Sequence, residues 1–427
     1  VLESIKFFFK SKFVRNIAVV AMGTAGAQAI TMAFVPVITR LYGPEAFGLF
    51  GTFIATLSVL TPIAALTYPI AIALPKSDEE AKALARLSFK IAISIAALLF
   101  LFFLNAANYV AELLNLQAIA GFMILIPFVM LFSALQQIGQ QWLFRKKQYK
   151  ANARVALSQS LIINSAKAIV GFFYASGVVL IFLATLGNAI YALQLWYAAK
   201  KNDAVRVETS ASVNLIVLAK KYSDFPFYRA PQVFVNAISQ SLPILILAGF
   251  FGPSAAGFFS LAKSVLMAPA FLVGKSVGDV FYPSASRMIS DGKCPRKFLL
   301  KSTFGLALAG CPIVLLMLIF GEIIFRFFFG EEWAVAGSYS KWISIWLYFF
   351  MISRPLIAII PALSIQDKFL VYEIFSLVAK AVISVIAIFV LKTDLGFVVA
   401  YSLLSAALYV PLFLFVLSII RIKGLNE

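Results

Sequence analysis

The chain has no histidine and only two cysteines, and charged residues fill just 13% of its 427 positions. A soluble domain of this length needs roughly a quarter of its residues charged to face water, so a soluble fold is excluded. Without imidazole there is no zincin motif, no Ser-His-Asp triad and no histidine proton relay. Cys294 and Cys311 stand apart, each beside a proline, and give neither metal-ligand spacing nor a disulfide framework. No metal or cofactor is expected. Acidic residues are also scarce, 18 against 36 basic.

What is abundant is apolar surface, 62% of the chain. Runs of about 20 apolar residues recur along its length, each able to cross a hydrocarbon layer about 30 Å thick as a helix. The fold class is therefore all-α transmembrane. Apolar runs between charge clusters and Gly/Pro punctuation predict twelve spans: 17–39, 47–74, 88–110, 117–144, 155–175, 178–199, 228–250, 256–281, 299–320, 335–361, 371–391 and 397–420. The first twelve residues, VLESIKFFFKSK, are basic and amphipathic without a small-residue cleavage site, and read as a cytoplasmic lead-in.

Lys and Arg fall mostly in alternate connections. These include Lys76 to Arg86, Arg145 to Arg154, Lys200 to Lys221 and Arg287 to Lys301, whereas the opposite side holds only Arg40, Arg326 and Lys392. By the positive-inside rule both termini are cytoplasmic. The net charge of +18 is then a topology signal. No aromatic-basic module accompanies it, so no nucleic-acid partner is expected.

An octapeptide repeats. Gly43-Pro44-Glu45-Ala46-Phe47-Gly48-Leu49-Phe50 follows the first span, and Gly252-Pro253-Ser254-Ala255-Ala256-Gly257-Phe258-Phe259 follows the seventh. Corresponding placement points to duplication. Six crossings return a chain to its starting side, so parallel halves related by a pseudo-two-fold along the membrane normal are expected. The division is a six-helix lobe over 1–200, a cytoplasmic linker over 201–227 and a second six-helix lobe over 228–427.

Outside loops are too short to hold a glycosyl-transfer site. Gly274-Lys275-Ser276 looks like the end of a phosphate loop, but Pro269 occupies the position of its first glycine. The remaining chemistry lies in charges inside the membrane: Lys90, Lys167, Arg229, Lys263, Lys275, Lys341, Arg354 and Lys380, accompanied by Asp279 and Glu373. A charge at a helix centre costs about 2.5–3.5 kcal/mol on insertion scales, so such groups face a wet cavity or a partner. Lys90 and Arg229 lie near span ends and can snorkel. Lys275 and Asp279, four residues apart, can pair on one helical face, and Lys275 equally counts as a member of a cationic cavity. Lys167, Lys380, Lys263 and Arg354 are better explained by a cationic cavity. Polar stripes containing Gln28 and Thr31, Asn164, Asn236 and Gln240, and Glu373 support this face, although uncharged polar groups equally serve to pack transmembrane helices. A cationic cleft implies an anionic cargo.

With Thr39-Arg40-Leu41-Tyr42-Gly43-Pro44-Glu45-Ala46-Phe47-Gly48, Arg145-Lys146-Lys147-Gln148-Tyr149, Asp224-Phe225-Pro226 and Ser241-Leu242-Pro243, the chain resembles the polysaccharide-biosynthesis flippases. This O-antigen and exopolysaccharide group belongs to the multidrug/oligosaccharidyl-lipid/polysaccharide exporter superfamily. The resemblance implies V-shaped six-helix lobes working by alternating access in a bacterial inner membrane. It also implies a lipid-linked oligosaccharide substrate on undecaprenyl diphosphate, contact with membrane lipids, and a polysaccharide polymerase and chain-length machinery as partners. The rival readings are an ion-coupled drug or cation antiporter and an integral-membrane glycosyltransferase or polymerase. The first six spans hold no intramembrane carboxylate for ion coupling, and no sizeable outside loop carries paired acids.

Overall fold

The computed structural model describes residues 12–201 and 214–422, with the side chains of these except 12–21, 271–280 and 422. The lead-in peptide up to Ser11, and residues 202–213 of the linker with Arg206, lie outside the described residues. Among the described residues every regular element is helical.

Ten stretches are long and apolar enough to cross a membrane. The first is two spans, because helix α1 (Lys12–Leu60) turns at Gly43 (φ 67°, ψ 172°). The long helix Pro253–Ser290 adds another. Twelve spans result, six on each side of the linker. In chain order the remaining helices are α2 (Tyr68–Ala71), α3 (Asp78–Leu113), α4 (Ile126–Arg145), α5 (Tyr149–Phe173), α6 (Gly177–Lys201), α7 (Leu215–Lys221), α8 (Ala230–Phe251), α9 (Pro253–Ser290), α10 (Arg296–Phe329), α11 (Ala334–Ile352), α12 (Arg354–Ile359), α13 (Gln366–Ile386), α14 (Asp394–Ala407) and α15 (Tyr409–Ile422).

Local chemistry sets the ends. At α3, Ser77 Oγ accepts the Glu80 N–H at 3.2 Å, and Asp78, Glu79 and Glu80 fill the first turn, where the helix dipole favours anions. The second predicted span breaks early: after Leu60 comes a 3₁₀ turn at Thr61–Ile63, and Leu66 and Thr67 take positive φ. Pro62 cannot continue the hydrogen-bond ladder. Conversely α10 runs on to Phe329 before Gly330 (φ 112°) stops it, so Glu322, expected in an outside loop, is helical. The span expected over 335–361 is interrupted at Ser353, just before Arg354-Pro355.

Large apolar side chains point outward in rows. On α3 these include Phe89, Ile93, Leu98, Leu101 and Phe102, and on α10 Phe304, Leu308, Leu315, Ile319 and Ile323. Apolar surface on this scale is stable only against lipid.

The chain forms two compact units. One comprises Thr52–Ala237 and the preceding segment through Tyr42; the other comprises Ile238 onward together with Gly43–Gly51. The break after Ala237 falls inside α8, whereas the sequence division sets it before that helix.

In the first unit, Tyr68, Ile72, Leu84, Trp142, Leu143, Leu195 and Leu218 form a buried core. One end is clamped: Arg145 donates to the Pro75 carbonyl at 2.6 Å and to Asp78 at 3.0 Å, and Lys146 also pairs with Asp78. Lys221 of α7 meets Glu80 at 2.5 Å, and that carboxylate holds the ammonium above its ordinary lysine pKa. In the second unit the core gathers Phe281, Leu299, Leu356, Ile359, Leu412 and Val416.

The repeated octapeptides meet inside the second unit. Gly43 and Gly252 share one conformation, positive φ with extended ψ, each leading into a proline-started helix segment. The Pro253 carbonyl approaches Gly48 so closely that a Cβ there could not fit, and the Pro44 carbonyl does the same to Gly257. Gly51 lies against the Ser260 side chain. Residues at one constant offset (44 and 253, 48 and 257, 51 and 260) thus face one another reciprocally. Trp333 sits edge-on to both Phe47 and Phe258, at 5.5 and 6.0 Å.

Candidate functional site

The second unit carries a polar interior inside an apolar exterior. Helix α13 shows the logic: Ser376, Lys380 and Ser384 are buried, while Val371, Phe375, Val378, Val382 and Val385 are exposed. The four-residue spacing of 376, 380 and 384 keeps them on one face, and the lipid takes the other.

Two ammonium groups are anchored on consecutive residues of α8. Lys380 Nζ donates to Ser239 Oγ at 2.9 Å, and Lys263 Nζ of α9 donates to the Gln240 carbonyl at 2.6 Å. Lys263 also lies over the Trp346 ring of α11, 5.4 Å from its centroid. A charge-assisted hydrogen bond contributes about 1.5–3 kcal/mol, and a desolvated cation–π contact about 2 kcal/mol. Together these offset much of the cost of holding the ammonium in the membrane. The like charge of Lys380 acts unfavourably on Lys263. Tyr401 completes the frame, donating to the Ser239 carbonyl at 2.8 Å and packing edge-on against Trp346 at 5.7 Å. The Gln240 Oε1 atom is buried without a hydrogen-bond partner.

Arg354 belongs to the same unit, its guanidinium 4.2 Å over the Phe350 ring. Tyr409 interacts electrostatically with both Arg354 and Glu373, and Glu373 with Lys380. Four predicted charged residues, Lys263, Arg354, Glu373 and Lys380, therefore enter one linked group with Gln240. Asn236 lies exposed one turn earlier on α8. The side chains of Lys275 and Asp279 lie outside the described residues. Lys341 departs from the expected set: it pairs with Glu322 at 2.7 Å, and Ser338 donates to the same carboxylate at 2.8 Å. The extension of α10 supplies that partner.

The first unit uses its polar stripe differently. Thr31 and Ser160 share a hydrogen bond at 2.9 Å, Asn164 donates to Thr31 at 3.2 Å, and Ser160 donates to the Ala27 carbonyl at 2.7 Å. Gln136 donates to Asn188 Oδ1 at 2.9 Å, and Gln140 to the Tyr191 hydroxyl at 2.8 Å. Thr31 and Asn164 thus join helices. Gln28 is half-buried on the same α1 stretch. Lys167 is half-buried one turn after Asn164, and its own carbonyl accepts the Tyr42 hydroxyl at 2.8 Å. Lys90 and Arg229 are exposed.

Trp346, Tyr401 and Tyr409 escaped the sequence reading. Their signal was an aromatic with a polar tip inside an apolar span, where the tip must find a partner. Among the described residues no cluster of His, Cys, Asp and Glu could hold a metal ion.

The second unit thus holds a polar, cationic interior within an apolar exterior, and solved membrane proteins of like fold are found. An inward-facing multidrug resistance MATE transporter of the MOP superfamily superposes with TM-score 0.76 at 14% identity, covering 98% of this chain and all of that one (100%). The lipid II flippase MurJ in an inward closed conformation gives TM-score 0.71 at 11% identity, over 94% and 89% of the two chains. At these identities the likeness is one of fold. The family profile described as polysaccharide biosynthesis protein matches residues 37–337, and the chain belongs to that family. The succinoglycan biosynthesis transport protein ExoT of Rhizobium meliloti (strain 1021) is 23% identical over 330 residues, 75% of this chain and 63% of that protein. The relatives are transporters and flippases, not enzymes.

Proposed function

We propose that the protein flips an undecaprenyl-diphosphate-linked oligosaccharide repeat unit from the cytoplasmic to the outer leaflet of a bacterial inner membrane, for cell-surface polysaccharide synthesis. In this reading two six-helix lobes, over 1–200 and 228–427 with the linker between them, alternate access around a pseudo-two-fold along the membrane normal, and both termini are cytoplasmic. The observation that carries it is the pair Lys263 and Lys380, anchored side by side on Ser239 and Gln240. Charged groups at that depth call for an anionic guest, and a phosphate offers several acceptor oxygens to each ammonium.

A route also supports the reading. Arg229, Gln232, Asn236 and Gln240 follow one another at three- and four-residue spacing along α8 and its entry turn, with Arg229 donating to Gln232 at 3.0 Å. The stripe climbs about 16 Å from the linker end towards Lys263, at 1.5 Å per residue. Lys167, with the polar groups of α1 and α5, faces the saccharide in this scheme. Moving an anionic headgroup outward from a negative interior gains about 2.3 kcal/mol per charge per 100 mV. A polymerase and chain-length machinery would consume the product. Deletion of the gene should make the lipid-linked oligosaccharide accumulate, read by mass analysis. Reconstituted protein should translocate it in inverted vesicles; unchanged lipid pools and no translocation would overturn the reading.

A further inference from the structure

In the first unit the turn from α4 to α5 forms one side of an open basin of about 560 Å³, with Ala73 and Asp78 on the other. The rings of Phe144 and Tyr149 wall it, their centroids 6.1 Å apart and their planes tilted by 33°. Three cations reach it, each placed differently. Arg145 is occupied by the chain itself, donating to the Pro75 carbonyl at 2.6 Å and to the Asp78 carboxylate at 3.0 Å. Lys146 pairs with the same carboxylate and lies over the Trp142 ring, 5.6 Å from its centroid. One carboxylate thus serves two cations, and Lys147 leaves the basin with a positive surplus.

Lys147 is the informative member. The Gln148 N–H donates to the Leu143 carbonyl at 2.8 Å and the Lys147 N–H to the Phe144 carbonyl at 3.0 Å, closing α4 with a turn whose left-handed position is ordinarily glycine. Here that position holds an exposed lysine at φ 56°. A side chain in this conformation costs stability that glycine would not. Backbone strain is therefore tolerated where it sets an ammonium beside two rings. The basin also lies where two spans meet their connection, the level at which aromatic rings and lipid phosphates sit together at a membrane surface. Next to Ala73, Leu74 is 60% exposed, so apolar surface continues past the charges.

We infer that the basin holds the phosphodiester headgroup of an anionic phospholipid of the surrounding bilayer. Lys146 and Lys147 meet the phosphate, and Phe144, Tyr149 and Leu74 meet the glycerol and the first acyl carbons. The site is separate from Lys263 and Lys380 and stands whatever the transported molecule is. A phosphate free in water has no use for the apolar rim, and a zwitterionic lipid brings its own cation against the lysines.

The test uses the purified full-length protein in detergent, titrated with dioctanoyl phosphatidylglycerol, dioctanoyl phosphatidylcholine or glycerol 3-phosphate, with the rise in melting temperature as readout. Phosphatidylglycerol should act at the lowest concentration. Lys147→Gln should weaken it about fivefold, the effect of one basic residue near an anionic lipid surface. Lys147→Gly should separate strain from binding: the melting temperature without lipid should rise, while the response to phosphatidylglycerol falls as in Lys147→Gln. Lys368→Gln, at an exposed lysine of the second unit, should leave that response unchanged. If both Lys147 variants respond as the parent does, the site falls. If phosphatidylcholine or glycerol 3-phosphate acts as strongly as phosphatidylglycerol, the anionic-lipid assignment falls. Displacement of the lipid by a hexaglutamate peptide would overturn it too, in favour of an acidic protein partner.

Discussion

The two units bury similar helices yet use polar side chains for opposite ends. In the first, Thr31, Ser160 and Asn164, or Gln136 and Asn188, satisfy one another across helix contacts with no net charge. In the second, Lys263 and Lys380 are held by one hydroxyl and one main-chain carbonyl, and they repel each other. A neutral network that is already satisfied is glue. A cationic one fastened by neutral oxygens has capacity for an anion. Under the proposed function, the contrast assigns the headgroup to the second unit.

The largest effect should come from Lys263→Gln. It removes the charge but keeps a donor, and should cut translocation at least about tenfold, a loss of about 1.4 kcal/mol in transition-state or binding free energy. Membrane insertion should stay normal by fractionation. Lys380→Ala should follow closely, with accumulation of lipid-linked oligosaccharide as readout; normal surface polysaccharide in this variant would erase the distinction between the units. Lys167→Ala should impair export as well, but less than either. Equal losses at 167 and 263 would make the first unit an equal partner in holding the headgroup. Thr31→Val should leave transport near the parental rate and lower stability by about 0.6 kcal/mol, the average for such bonds in a membrane. The smallest change belongs to Glu80→Gln, which frees Lys221 at the clamped end. Its shift in melting temperature should vanish in 1 M salt, where the screening length is about 3 Å.

Much of the fold was legible because the bilayer imposes one rule on every span, namely about 20 apolar residues with polar punctuation. Departures came where a local residue overrode that rule. Pro62 broke the second span, and Gly330 rather than the charge at Glu322 ended α10. That second departure also hid a partner for Lys341, since a carboxylate assigned to a loop is not paired on paper with a lysine in a helix. The charged members of the site were legible because charge in oil is costly wherever it falls. Their neighbours were not. Tyr401 and Trp346 look like ordinary lipid-facing aromatics until α11 and α14 pack together and turn them inward.

The crossing at Gly48 and Gly257 has an evolutionary corollary. Main chain touches main chain there, each glycine receiving the other segment's proline carbonyl. Such self-matching surfaces tolerate almost any drift elsewhere, because nothing in them reads side-chain identity. The same few letters therefore stand in both segments. One added methyl on either copy would obstruct a fit that the other still requires.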